Sequence, residues 1–139
     1  MAGIRRRARI AALKVLYELD YSTKHDAEAA LARLTAQKEM PEEALIFSGE
    51  LVRGVLRHKA ELDGLIGRLA PAFPAEQMSA IDRNVLRLAI FEIRFGQQAP
   101  FKVAVNEAIE LAKEFGSESS PRLINGVLGT MTAERDVDG

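Results

Sequence analysis

Apolar residues recur along this chain at spacings of three and four, and no stretch alternates apolar with polar residues at the β-branched content a strand needs. That period predicts an all-α fold. Ile10, Leu13, Leu16 and Tyr17 mark one face of a first helix over about Arg5 to Leu19. Leu31 and Leu34 mark a second, entered through Asp26 as N-cap and running to about Gln37. A third opens at Pro41, with Glu42 and Glu43 in a first turn whose dipole favours them. Its stripe of Leu45, Leu51, Val52, Val55, Leu62, Ile66 and Leu69 continues to Pro71, and the glycines within it predict a bent or interrupted rod.

The stretch Ala70-Pro71-Ala72-Phe73-Pro74 is the one internal boundary the pattern offers. Ser79 to Asp82 then fits a capping box, with Asp in place of Glu, before a segment apolar on most sides that Gly96 ends. This segment belongs at the centre, with Arg83, Arg87 and Arg94 as a thin solvated edge. In the next helix Val105, Ile109, Ala112 and Phe115 point inward, Glu107, Glu110 and Glu114 outward, and Gly116 is the stop. The last starts at Ser120-Pro121, buries Leu123, Ile124, Val127, Leu128 and Met131, and frays from Ala133. Gly126 and Gly129 predict the close approach of another helix, and Asn106 and Asn125 predict polar pins between helices. The architecture expected is two packed three-helix bundles, about six to seven helices in all, over about residues 5–70 and 77–132 of a single domain spanning 1–139.

Chemistry is constrained as tightly as fold. The 139 residues include no Cys, which excludes disulfides, thiolate metal sites and thiol catalysis. His25 and His58 have no ligand-spaced carboxylates around them, and no phosphate loop, nucleophile elbow or dinucleotide fingerprint occurs. A non-enzyme with no metal and no cofactor is expected. No apolar run of about 18 residues could span a bilayer and no signal-peptide pattern opens the chain, so a cytoplasmic protein without a membrane partner is expected.

Charge supplies the functional signal. Arg5, Arg6, Arg7 and Arg9 stand at the front of the first helix, where half a positive dipole charge already sits and each cation costs about 0.3–1 kcal/mol. Taking these four from the 19 Lys+Arg leaves 15 basic residues against 20 Asp+Glu, an acidic body with a basic N-terminal arm. An external anion should compensate, and the guanidinium fork suits phosphate. Tyr17, further along the helix, could meet an unstacked base.

Arg5-Arg6-Arg7-Ala8-Arg9, Leu16-Tyr17, Leu51-Val52-Arg53-Gly54-Val55, Leu62-Asp63 and Ile81-Asp82-Arg83-Asn84-Val85-Leu86-Arg87 together resemble the NusB family of transcription antitermination proteins. The likeness is most specific in Pro100 through Gly116, PFKVAVNEAIELAKEFG, and in Ile124-Asn125-Gly126-Val127-Leu128, and it reaches from Arg5 to about Met131. The resemblance implies an all-helical factor without catalytic activity. Such a factor binds the single-stranded boxA element of ribosomal RNA transcripts with the small-subunit ribosomal protein NusE, and acts on the elongating RNA polymerase complex. By the same resemblance Arg5, Arg6, Arg7, Arg9 and Tyr17 form the RNA-binding surface and Asp82 lies near the NusE surface. Leu123 departs from the Phe the family commonly carries there, which puts an RNA role for that position in question. About four phosphate contacts on a single strand predict a salt slope near −3.

Two other readings fit the same residues. A homo-oligomeric scaffold, a homodimer for instance, would set the arginines against Glu107, Glu110 and Glu114 of a sister chain. A NusB-like module also heads some ribosomal RNA cytosine methyltransferases, but a chain ending at Gly139 leaves no length for a cofactor-binding sheet.

Overall fold

A computed structural model describes residues 3–21, 26–36, 40–96 and 99–138; His25 and Gln37 lie outside the described residues. Every regular element among them is helical: α1 (Ile4–Tyr21), α2 (Ala27–Ala36), α3 (Glu42–Arg57), α4 (Lys59–Leu69), α5 (Ala80–Phe91), α6 (Phe101–Phe115) and α7 (Ser120–Asp138), with a 3-10 turn at Ala75–Gln77 and a π turn at Glu92–Gly96. They fall into two compact units, Met1–Arg57 and His58–Gly139.

The first unit buries small side chains beside leucines, Leu13, Leu16 and Leu51 among them. Ala8, Ala12, Ala44 and Val52 are sealed from solvent, and α1 packs on α3. The Ser48 hydroxyl donates to the Ala8 carbonyl at 3.2 Å, a tie between two helix backbones with no long side chain in between. Asp26 caps α2 as its spacing predicts, its Oδ1 accepting from the Glu28 and Ala29 amides at 3.0 and 3.3 Å.

The long third rod is interrupted, although not at a glycine. It breaks at His58, with φ −106° and ψ 16°, where the ring stacks on Phe95 at 3.9 Å between centroids and 8° between planes. As a result α4, placed by sequence with the first half, packs with α5 and α7, so the units hold three and four helices. The division falls at His58 and not at Pro71 to Pro74.

Polar locks account for that allegiance. Asp63 of α4 receives Arg87 Nε and Nη2 of α5 at 2.7 and 2.8 Å. Arg87 Nη1 also donates to Asn84 Oδ1 at 3.0 Å, and Asn84 Nδ2 to the Ala80 carbonyl at 2.9 Å. Arg87 is 4% exposed, so the solvated edge expected of the three arginines is not what forms. Arg83 instead donates to the Ala75 and Met78 carbonyls and holds the 3-10 turn, and only Arg94 lies exposed. The Ser79 half of the capping box is present, its Oγ accepting from the Asp82 amide at 3.1 Å. Arg68 of α4 clasps Glu134 at 2.8 and 2.9 Å, and α7 runs on to Asp138 where fraying was expected.

Other expectations are corrected by which face each helix buries. In α6 the buried residues are Ala104, Ala108, Leu111 and Ala112, with Val105, Ile109 and Phe115 only half-buried. Asn106 and Asn125 are exposed and do not pin helices; the buried amide is Asn84. Gly126 and Gly129 are exposed, with open space where a side chain would stand, so they admit no neighbouring helix. Gly116 is the glycine that packing requires, because a Cβ there would lie 2.6 Å from Ser120 Cβ and 2.8 Å from the Ala112 carbonyl.

Asp63→Ala strands the Arg87 cation inside the second unit, and should cost about 3–5 kcal/mol in urea unfolding. Adding Arg87→Met should return a large part of that loss, since a long apolar side chain then replaces the orphaned charge.

Candidate nucleic-acid interface

The four arginines belong to the helix itself and not to a flexible arm. α1 begins at Ile4, and its first turn carries no acid to balance the dipole. Arg5 and Arg6 are exposed and Arg7 is half-buried. Arg9 is corrected: it is 4% exposed and gives no open surface to a ligand. Arg9, Ala12, Leu13 and Leu16 stand at i, i+3, i+4 and i+7, the spacing of a buried stripe, so its stem lies on the inward side of α1.

Phe47 of α3, which the sequence reading did not single out, organises this end of the unit. The Arg5 guanidinium carbon lies 4.4 Å from the centroid of its ring and that of Arg9 5.6 Å. The ring, itself buried, offers both cations the negative face of its π system. This contact offsets part of the dipole cost and gives Arg5 a fixed seat. The signal available in the sequence was weak: Phe47 continues the Ala44 to Leu51 stripe of α3, but nothing local says which residues it meets.

Further along α1 the aromatic rings emerge. Tyr17 is 42% exposed, so the inward direction expected for it is not taken up; the buried stripe consists of Ala8, Ala11, Ala12, Leu13, Val15 and Leu16. Arg6 and Tyr17 fall within about 20° of one another at 100° per residue, on the outward side of the helix. Two acids of this unit are held by arginines of other helices. Glu18 is hydrogen-bonded by Arg33 of α2. Glu28 is held in a fork by Arg53 Nε and Nη2 at 2.7 and 2.9 Å, which keeps its carboxyl below the usual range. The helix thus presents cations at one end and aromatic surface at the other, a combination that suits a phosphate chain with unpaired bases.

Asp82 sits in the first turn of α5 in the second unit, 8% exposed, and its Oδ1 has no hydrogen-bond partner among the described residues. Leu123 is half-buried on α7. Among the described residues no group of three or more His, Asp or Glu side chains is arranged to hold a metal ion, and no helix is long and apolar enough to cross a membrane.

Comparison with known proteins gives a consistent family. A model of the NusB family matches residues 6–133. The transcription antitermination protein NusB of Dehalococcoides mccartyi strain CBDB1 is 50% identical over 132 residues, covering 95% of this chain and 92% of that one. A solved structure of T. maritima NusB aligns with a TM-score of 0.86 at 33% identity, covering 96% of this chain and 94% of that one. A chain in the solved complex of the antitermination factors NusB and NusE with dsRNA shares the fold, with a TM-score of 0.84 at 24% identity over 96% of this chain and 99% of that one.

Phe47→Leu keeps an apolar side chain in the seam but removes the ring face from two guanidinium groups. It should cost about 1–2 kcal/mol in urea unfolding, and in an Arg5→Ala background part of that cost should already be gone.

Proposed function

This chain belongs to the NusB family, and on that premise we propose that it is a transcription antitermination factor. It binds the single-stranded boxA element of ribosomal RNA transcripts together with the ribosomal protein NusE, and acts on the elongating RNA polymerase complex in the cytoplasm, catalysing no reaction. The observation that carries this reading is the gathering of exposed Arg5 and Arg6 and half-buried Arg7 at the start of a helix whose dipole opposes them, with exposed Tyr17 on the same helix.

The residues divide their work. Arg5, Arg6 and Arg7 meet phosphates, and Tyr17 seats a base. Arg9, buried beside Phe47, is a positioning residue that acts through the orientation of α1. Three phosphate contacts in place of four lower the expected salt slope to about −2 for a single strand. So shallow a slope means modest affinity, which a second basic subunit on the same strand raises. Asp82 is the proposed NusE contact: a donor from the partner would satisfy the buried Oδ1 that has no partner here.

The test is fluorescence anisotropy of a labelled boxA RNA titrated with the protein, with and without NusE, beside a scrambled strand and the boxA duplex. Binding should prefer boxA and tighten with NusE. The triple variant Arg5→Ala, Arg6→Ala, Arg7→Ala should weaken it about tenfold or more and flatten the salt slope by about 2, with helicity retained. Asp82→Asn should weaken only the arm containing NusE. Equal binding of the scrambled strand, or a triple variant that binds like the parent, would sink the reading.

A further inference from the structure

The end of α1 carries a second aromatic ring that neither the packing nor the proposed arginine contacts use. Tyr21 is 69% exposed, more than Tyr17 at 42%, and the two rings touch, their centroids 4.9 Å apart and their planes inclined at 52°. Four residues along a helix advance about 6 Å and rotate only about 40°, so the rings stand in sequence on one outward stripe. That stripe also runs through exposed Arg6 and Lys14, with half-buried Arg7 at its side. Of the two acids between the tyrosines, Glu18 is hydrogen-bonded by Arg33 and Asp20 is half-buried, and Lys14, one turn before Tyr17, is the α1 cation nearest the rings.

Geometry limits what such a pair can hold. Bases that remain stacked rise about 3.4 Å from one to the next and lie parallel. Two rings 4.9 Å apart and inclined at 52° cannot continue such a stack, so each must present its own plane to its own base. An aromatic plane replaces the stacking a base gives up when its strand is unwound, and it does so for any base. Resting on the RNA-binding reading above, we propose that Tyr17 and Tyr21 seat two consecutive, mutually unstacked bases of a single-stranded RNA whose backbone runs along Arg6, Arg7 and Lys14. Tyr21 thereby sets the register of the strand at the end of α1. A duplex cannot use the pair, because its bases are not available singly.

Single abasic nucleotides, stepped through the labelled boxA RNA in the anisotropy titration with NusE, test this directly, since each removes a base and leaves its phosphate. The parent protein should show two adjacent positions at which loss of the base weakens binding about 5- to 20-fold. In Tyr21→Ala one of those two positions should lose its sensitivity, overall binding should fall by the same factor, and the salt slope should be unchanged because no phosphate contact is lost. Tyr21→Phe keeps the ring and should bind as the parent does; with the ring so exposed, both variants should keep full helicity. If Tyr21→Ala binds like the parent with both sensitive positions intact, or if sensitivity is confined to one position in the parent, the two-base seat is overturned. The antitermination reading survives that result as long as the triple arginine variant still loses boxA. If the parent shows no preference for boxA, both fall together.

Discussion

The seam of small side chains between α1 and α3 fixes everything the first unit does. Ala8 and Ala12 of α1 and Ala44 of α3, all fully buried, contribute little apolar area each, so the seam holds by dense packing, with the Ser48 hydroxyl tying α3 to the α1 backbone. That packing leaves α1 one rotation about its axis. With Ala8 inward, Arg6 must point out, Arg5 and Arg9 must reach the Phe47 ring, and Tyr17 and Tyr21 must emerge at the other end. A larger residue in the seam would turn the helix and swing its cations and rings together away from their present facing.

In the second unit the organising device is charge. Arg87 and Asp63 form a bidentate pair deep on α5, with Asn84 satisfying the third guanidinium nitrogen. Such a pair recovers little more than its desolvation cost, so its contribution is to the fixed facing of α4 and α5 more than to stability. An apolar core alone could slide by a turn. A fork that must meet two carboxylate oxygens and an amide cannot.

Helix existence was legible in the sequence because period, caps and breakers agree: Asp26, Ser79, Gly96 and Gly116 each act where their chemistry says they should. What could not be read was which polar residue would be taken inside. Arg87 looks like part of a solvated edge until Asp63, far off in sequence, is brought alongside it. Arg9 looked like its neighbours, although its spacing to Ala12, Leu13 and Leu16 already placed it on the inward stripe. Of the candidate interface, the arginine cluster and Tyr17 were visible as residue types. Phe47 and Tyr21 were not, since a platform is defined by what reaches it through space. The helix break at His58 was hidden for the same reason, because its aromatic partner Phe95 lies beyond both α4 and α5 in the sequence.

That the arginines stand on a helix already folded and packed decides where the entropy of recognition falls. A disordered basic tail would have to order itself on every encounter, burying new protein surface and showing a large negative heat-capacity change. The backbone of α1 is already helical from Ile4 onward. The conformational cost rests on the nucleic acid strand, and the heat capacity of association should be small, with a thermodynamic signature set by the strand's own unstacking.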